Sequence, residues 1–349
     1  MNPNYKTTPK LQRYQGSLIG LAVGDAIGIS VEFKRPGDFE PITDMVGGGV
    51  YGLETGQWTD DTSMALCLAQ SLIDCKGFNA FDQMDKYIRW REEGYMSSTG
   101  TCFDIGNTIN KALSSYKAFR NPYSGSVDPH SAGNGSLMRL APVPLYYADR
   151  VKEAMIYCVD SSRTTHAATT CIDACRYYGG LIIGAVQGRS KDEILSSQFS
   201  PIKNLWDSTP LCDEINEIAK GSFKLKEPPE IIGSGYVVQS MEAALWAFYK
   251  SESFEKGCLL AVNLGNDADT TAAIYGQLAG AYYGVDNIPK HWLERVTDGK
   301  MILDIASNLF PVLSTFVVPI FPEPTDLISF LRNILVRSNP NGIDPRTYE

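Results

Sequence analysis

The sequence predicts an all-α fold, and three observations carry that expectation. Apolar residues recur at helical spacing along most of the chain, clean strand-like alternation is scarce with no βαβ spacing, and two segments carry a small residue at every fourth position. In residues 60–74, Met64, Leu68 and Leu72 fall on one stripe at i, i+4 and i+8. Residues 104–116 repeat the pattern with Ile105, Ile109, Leu113 and Tyr116. Further helical patterns run through residues 81–92, 166–187, 237–249, 270–283, 290–296 and 325–336.

The small-residue stripes comprise Gly16, Gly20, Gly24 and Gly28, and then Ala272, Gly276, Gly280 and Gly284. Glycine costs about 1 kcal/mol relative to alanine inside a helix, so such runs need a compensating gain. Close approach of two helix backbones supplies one, and two tightly packed central helices are expected. The spacing is that of membrane helix pairs, but Gln15, Ser17 and Asp25 in the first segment argue against burial in lipid.

Loops are expected at residues 34–58, rich in glycine and proline, and at the polar stretch 120–135. Residues 188–234 read as a variable insertion with charge runs and prolines. None of these resembles a domain linker, and no long repeat appears, so residues 1–349 are expected to form one compact helical domain. A chain of 349 residues is long enough to bury a large core.

Composition narrows the function. With 31 Lys plus Arg against 40 Asp plus Glu, the net charge is −9, which disfavours general binding to nucleic-acid phosphates. No run approaches 18 apolar residues, so no membrane span is expected, and the first residues lack an apolar signal core. The eight cysteines contain no CxxC pair and read as reduced thiols of a cytoplasmic protein.

Two acidic segments about 200 residues apart are the sharpest chemical signal: Trp58-Thr59-Asp60-Asp61-Thr62 and Asn266-Asp267-Ala268-Asp269-Thr270-Thr271. Each sets two carboxylates and flanking threonines just ahead of an apolar helical run. Helix capping explains the first on its own, with Thr59 as N-cap and both acids in the first turn. The second fits capping less well, because Asp267 and Asp269 would point apart if both were helical. Four carboxylates with threonine hydroxyls are hard ligands suited to Mg²⁺, Mn²⁺ or Ca²⁺. An EF-hand is excluded, since its loop would need Gly at 272 and Glu at 278, where Ala272 and Leu278 stand. Zinc hydrolysis has no support, because the histidines are His130, His166 and His291 with no HExxH. The run 233–238 lacks the third glycine and preceding strand of a dinucleotide site.

With these residues in view, a family resemblance emerges. The order Gly24-Asp25-Ala26, Glu32-Phe33, Trp58 to Thr62, Ser131 to Arg139, Thr165-His166 and Asp267 to Thr271 resembles the ADP-ribosylglycohydrolase family over residues 13–300. It is most similar to the bacterial branch that activates dinitrogenase reductase and to relatives that remove ADP-ribose from arginine. The resemblance implies a compact all-α domain, a site for two Mg²⁺ (or Mn²⁺), and hydrolysis of a glycosidic bond to ADP-ribose. An ADP-ribosylated protein would be the substrate.

By that resemblance, Thr59, Asp60, Asp61, Asp267, Asp269 and Thr270 ligate the metals, with Asp269 bridging. Glu32 and Asp104 are the candidate acid and base, although spacing alone does not divide the labour between them. Asn134, Gly135 and Ser136 are expected to open a helix whose N–H groups take the pyrophosphate. Arg139 is a candidate phosphate partner, or a partner for an acid of the cluster. His166 is a candidate substrate contact, and Tyr236 a candidate stacking partner for adenine. Three alternatives stand beside the arginine hydrolase. One is a hydrolase for serine or nucleic-acid linkages, and another is a non-catalytic binder of the crystallin-like kind. The third is an immunity protein that neutralises a cognate ADP-ribosyltransferase by binding as well as hydrolysis, through residues 1–12 or the insertion.

Overall fold

The structure is a computed structural model that describes residues 9–310; the helical pattern expected at 325–336 and residues 1–8 lie outside the described residues. Among them, the helices are α1 (Pro9–Gly28), α2 (Asp60–Asp74), α3 (Ala80–Glu93), α4 (Asn107–Phe119), α5 (Pro142–Tyr146), α6 (Val151–Arg163), α7 (Thr169–Val186), α8 (Lys191–Ile194), α9 (Leu205–Ser208), α10 (Asp213–Lys220), α11 (Val237–Lys250), α12 (Phe254–Val262), α13 (Ala268–Tyr283), α14 (Lys290–Arg295) and α15 (Gly299–Leu309). The described residues contain no sheet, only three isolated bridges: Gly48 with Leu53, Ser126 with His166 and Gly133 with Tyr236. The all-α expectation is met.

Helices α1 and α13 run antiparallel through the centre with their backbones in contact, as the two stripes predict. A methyl group on Gly24 would sit 2.1 Å from the Ala272 carbonyl oxygen, and one on Gly280 would sit 1.9 Å from that of Gly16. Gly20 faces Gly276 in the same way, and Gly28 abuts the backbone of Asp269. The stripe departs from expectation at one end: Gly284 lies beyond α13 with φ +79°, closing the helix. The stretch Pro9–Val31 is long enough to cross a membrane, with an 18-residue window of mean hydropathy 1.2, yet 94% of that window is buried inside the protein. Core packing is its use here.

This pairing also sets what lies around it. Ser17 donates to the Gln277 carbonyl (2.8 Å), and the Gln277 amide donates to the carbonyls of Leu137 (3.0 Å) and Met138 (2.7 Å). Gln277 Oε1 in turn accepts from Ala141 N–H (2.7 Å), so α13 carries the 137–141 segment on its flank. Helix α2 packs its Met64, Leu68 and Leu72 stripe into the same continuous core. Residues 188–234, expected as loop, instead build α8, α9 and α10. A buried Asp173–Arg176 pair on α7 ties them down: Arg176 donates to Thr209 O (2.9 Å) and Oγ1 (2.8 Å), and Asp173 accepts from Cys212 N–H (2.7 Å).

Alanine normally stabilises a helix interior over glycine by about 1 kcal/mol. At Gly280 the sign should reverse: Gly280→Ala is expected to lose at least about 2 kcal/mol in urea denaturation, because its methyl group collides with the rigid backbone of α1. Unchanged or higher stability would mean that the two helices do not meet at this distance.

Candidate active site

The antiparallel pairing brings the end of α1 against the start of α13, and acids converge there. Asp25 lies in the last turns of α1, and Glu32 follows it after one 3-10 turn. Thr59 is the N-cap of α2, with Asp60 and Asp61 in its first turn. Asp267 is the N-cap of α13, with Asp269 and Thr270 in its first turn. The chain bends at Asn266 (φ +55°), so that Asp267 and Asp269 both turn toward the cluster. Two helix N-termini thus supply positive dipole ends to a focus of carboxylates.

Asp25 organises the focus. Its carboxylate accepts from Thr59 N–H (3.0 and 3.1 Å), Thr62 N–H (3.1 Å) and Thr62 Oγ1 (2.6 Å). The first turn of α2 is therefore capped from another helix, while the Thr59 hydroxyl is free to donate to Asp61 Oδ2 (3.2 Å). Thr270 Oγ1 donates to the same Asp61 oxygen from α13 (3.4 Å). One carboxylate oxygen each of Asp25, Asp61 and Asp269 lie within 4.8 Å of one another, and a second such group joins Glu32, Asp104 and Asp269. Asp61 Oδ1, Asp269 Oδ1 and Glu32 Oε2 are buried with no hydrogen-bond partner.

An open cleft of about 590 Å³ leads to this focus, lined by Glu32, Asp60, Asp104, Asp267 and Thr270 on one side. The other side consists of Gly133, Asn134, Gly135, His166 and Gly235. Asn134 joins the two walls by donating to Asp267 Oδ2 (2.6 Å). A neighbouring hollow, sharing Gly133 and Gly235, is lined by His130 and the half-exposed ring of Tyr236. His166 is buried, and burial with the nearby Arg139 charge pushes its pKa down to about 3, so its imidazole is neutral. Its ring packs against Gly135, where a methyl group would meet Cε1 at 2.8 Å.

Three expectations need correction. Arg139 does not line the cleft. It is fully buried, donating to Gly135 O (2.6 Å) and Thr165 Oγ1 (2.7 Å) with its guanidinium 4.9 Å from the Tyr87 ring centre. It holds the glycine loop and, through the Thr165 contact to His166 Nδ1 (2.8 Å), the histidine. Asn134, Gly135 and Ser136 open a run of turns instead of a helix, with Leu137 and Met138 N–H groups donating back to Asn134 O. Ser136 faces away from the cleft toward Ser162 (2.9 Å) and Cys175. Asp104 precedes α4 by three residues with φ +58°, so that helix begins at Asn107 and not at 104.

Four residues were missed as site components. Asp25 stands in the sequence only as part of the Gly24-Asp25-Ala26 motif, although a lone acid in an apolar glycine-rich helix is itself a signal. Tyr51 donates to Asp104 Oδ1 (2.7 Å) from a distant loop. Gln277 gives no sequence cue. Arg35 is the one Lys or Arg among the residues lining the cleft.

A helical fold around a focus of carboxylates and threonine hydroxyls, open to a cleft with a glycine-rich lining, is a site of hard oxygen donors, and its family follows from similarity to known proteins. The profile of ADP-ribosylglycohydrolase matches residues 6–315, and the chain belongs to that family. It is 39% identical over 300 residues to the ADP-ribosylarginine hydrolase Tri1 of Serratia proteamaculans, covering 86% of this chain and 79% of that protein. It is 30% identical over 310 residues to the ADP-ribosyl-dinitrogen reductase glycohydrolase of Rhodospirillum rubrum, covering 86% and 96%. A solved structure titled as an ADP-ribosylglycohydrolase-related protein complex superposes with TM-score 0.74 at 40% identity, over 86% of this chain and 98% of the other.

Crowding of the acids has a thermodynamic consequence. Burial, reinforced at Glu32 and Asp104 by neighbouring carboxylates, pushes Asp25 up to about 6, Asp104 to about 7 and Glu32 to about 9. The folded state then holds more protons than the unfolded chain, so stability falls as these groups ionise. In chelator, the melting temperature should decline steadily as pH rises from about 4, the usual carboxylate value, to about 9. A flat or rising profile would contradict the crowding.

Proposed function

We propose that this chain is a metal-dependent glycohydrolase that removes ADP-ribose from modified proteins by cleaving the N-glycosidic bond to arginine, acting as a single domain in the cytoplasm. The observation carrying this reading is the convergence of two separate acid–threonine segments on one cleft, opposite a glycine-rich wall. The name of the 39% identical Serratia relative supports arginine as the linkage. All eight cysteines are free thiols, in keeping with a reducing compartment.

The residues fit a pair of hard cations. The donors are all oxygens, and Asp61 Oδ1 and Asp269 Oδ1 are buried, unpartnered and beside further carboxylates. Thr59, Asp60, Asp61, Asp267, Asp269 and Thr270 would hold two Mg²⁺, or Mn²⁺. Bound there, the ions supply Lewis-acid polarisation to the ribose hydroxyls and a water near the anomeric carbon. Asp25 keeps Thr59 and the first turn of α2 in place.

Glu32 and Asp104 line the cleft with raised pKa values and suit proton transfer at the scissile bond. Asn134, Gly135 and neutral His166 face the sugar–phosphate part of the substrate as uncharged donors. Tyr236 offers its ring to adenine in the adjoining hollow. A guanidinium with a free pKa above about 12 leaves as a cation, and Asp104 is a carboxylate placed to receive it.

Two measurements test this. Asp269→Asn should cut turnover by orders of magnitude while the fold survives, and Mg²⁺ should raise the melting temperature of the wild type. Full activity in EDTA, with no Mg²⁺-dependent shift in melting, would refute the metal reading. Asp104→Ala should slow hydrolysis of arginine-linked ADP-ribose at least about a hundredfold. ADP-ribose itself should still bind. Faster wild-type cleavage of a serine-linked peptide, or an unaffected variant, would overturn the assignment.

A further inference from the structure

The loop that bears Tyr51 is built to stay put. Asp44 at its start accepts from Trp292 Nε1 (2.7 Å) and Arg295 Nη1 (2.6 Å). Trp58 at its end is buried and donates to Thr297 O (3.1 Å). Between them Gly48 and Leu53 exchange backbone hydrogen bonds (2.8 and 2.9 Å), and Gly49 lies against the Ile29 carbonyl, where no side chain fits. The turn between these anchors exposes apolar side chains: Val50 is 56% and Tyr51 40% exposed.

Tyr51 reaches back from this turn to donate to Asp104 Oδ1 (2.7 Å), and Asp104 lines the cleft. Its ring meets that of Phe103 at 5.3 Å between centres and 56° between planes, so the two rings form an open corner beside the carboxylate. Deeper in, Glu32 brings a carboxylate oxygen within 4.8 Å of one from Asp104, and its Oε2, 3% exposed, has no partner. No Lys or Arg other than Arg35 lines the cleft. Aromatic faces beside crowded acidic groups attract a planar cation, whose arrival favours the ionised form of those acids.

We infer that Tyr51 and Phe103, together with Asp104 and Glu32, form a subsite for the guanidinium group of the modified side chain. The cation stacks on the aromatic corner, its N–H groups face the two carboxylates, and Val50 covers the aliphatic stem. This rests on the arginine reading above, and it assigns the outer part of the cleft to the protein side of the substrate. Tyr51 also fixes which oxygen of Asp104 meets the leaving group. A compact ammonium lacks the flat face for such stacking and should bind less well.

The test uses agmatine, a guanidinium on a short alkyl chain, titrated calorimetrically into the Mg²⁺-loaded, ADP-ribose-saturated protein, with putrescine as the ammonium comparison. Agmatine should bind the wild type more tightly than putrescine does. Tyr51→Leu should weaken agmatine at least about fivefold, and Tyr51→Phe, which keeps the ring, should stay within about twofold. Affinity for ADP-ribose should not move in either variant, which excludes general damage to the site. Equal agmatine affinity in wild type and Tyr51→Leu, equal losses in both variants, or putrescine binding as tightly as agmatine would overturn the subsite. Hydrolysis of serine-linked but not arginine-linked peptide by the wild type would instead overturn the reaction assignment, and the agmatine titrations judge the subsite separately.

Discussion

Everything in this structure depends on the distance between α1 and α13. Glycine on both helices removes the side chains that ordinarily hold helix axes 8–10 Å apart, and the carbonyls of one backbone fill the space beside the glycines of the other. The gain is dispersion contact along a long seam; the cost is helix propensity at each glycine. The pairing is directional as well as close. Running antiparallel, it sets the last turns of α1 against the first turn of α13, so Gly28 touches the backbone of Asp269. Carboxylates 25 and 269 are then neighbours by construction, whatever the loops do.

That neighbourhood is electrostatically costly, and the surrounding structure shows how the cost is contained. Asp25 is wholly buried but accepts from three donors, the Thr59 N–H shared between its two oxygens and the N–H and hydroxyl of Thr62, so its charge is solvated by the N-terminus of α2. Asp61 and Asp269 are not solvated in this way and keep oxygens without donors. A buried polar atom with no partner ordinarily costs about 1–3 kcal/mol, more when charged. One acid is therefore structural in its use of donors, and the other two stand ready for a ligand that brings positive charge.

The sequence conveyed the parts of this arrangement that are periodic or local. Four-residue glycine spacing announced the central pair, and the two acid–threonine segments announced both helix N-termini that meet at the site. Most of the helices expected from apolar stripes exist, and α2 has the expected bounds. What was not legible depends on long-range contact. Arg139 looked available for phosphate because nothing local shows that Gly135, Thr165 and Tyr87 enclose it. Helices α6 and α12 were passed over because Ser, Cys and Gly interrupt their apolar faces, whereas α15 carries a plain apolar stripe of Ile302, Ile305, Ala306 and Leu309 that was legible and missed. The insertion looked loose because the Asp173–Arg176 pair that anchors it belongs to α7, outside the segment itself.

The two walls of the cleft are not independent, and this bears on how the site tolerates change. Helix α13 supplies Asp267, Asp269 and Thr270 from its first turn, and from its third turn Gln277 grips the carbonyls of Leu137 and Met138 and the N–H of Ala141. The loop bearing Asn134 and Gly135 is thus referenced to the same rigid body as the acids, and Asn134 closes the circuit by donating to Asp267. A shift of α13 along α1 moves Asp267, Asp269 and the glycine wall together but carries them away from Asp25 and Asp61, which belong to α1 and α2. A rotation of α13 likewise swings Asp269 away from Asp25 and Asp61. The glycine seam resists rotation most strongly, because turning the helix brings larger side chains into a gap with room for none. Packing of the core and alignment of the site are therefore one constraint, because the glycine seam runs along the two helices whose adjoining ends carry Asp25, Asp267 and Asp269.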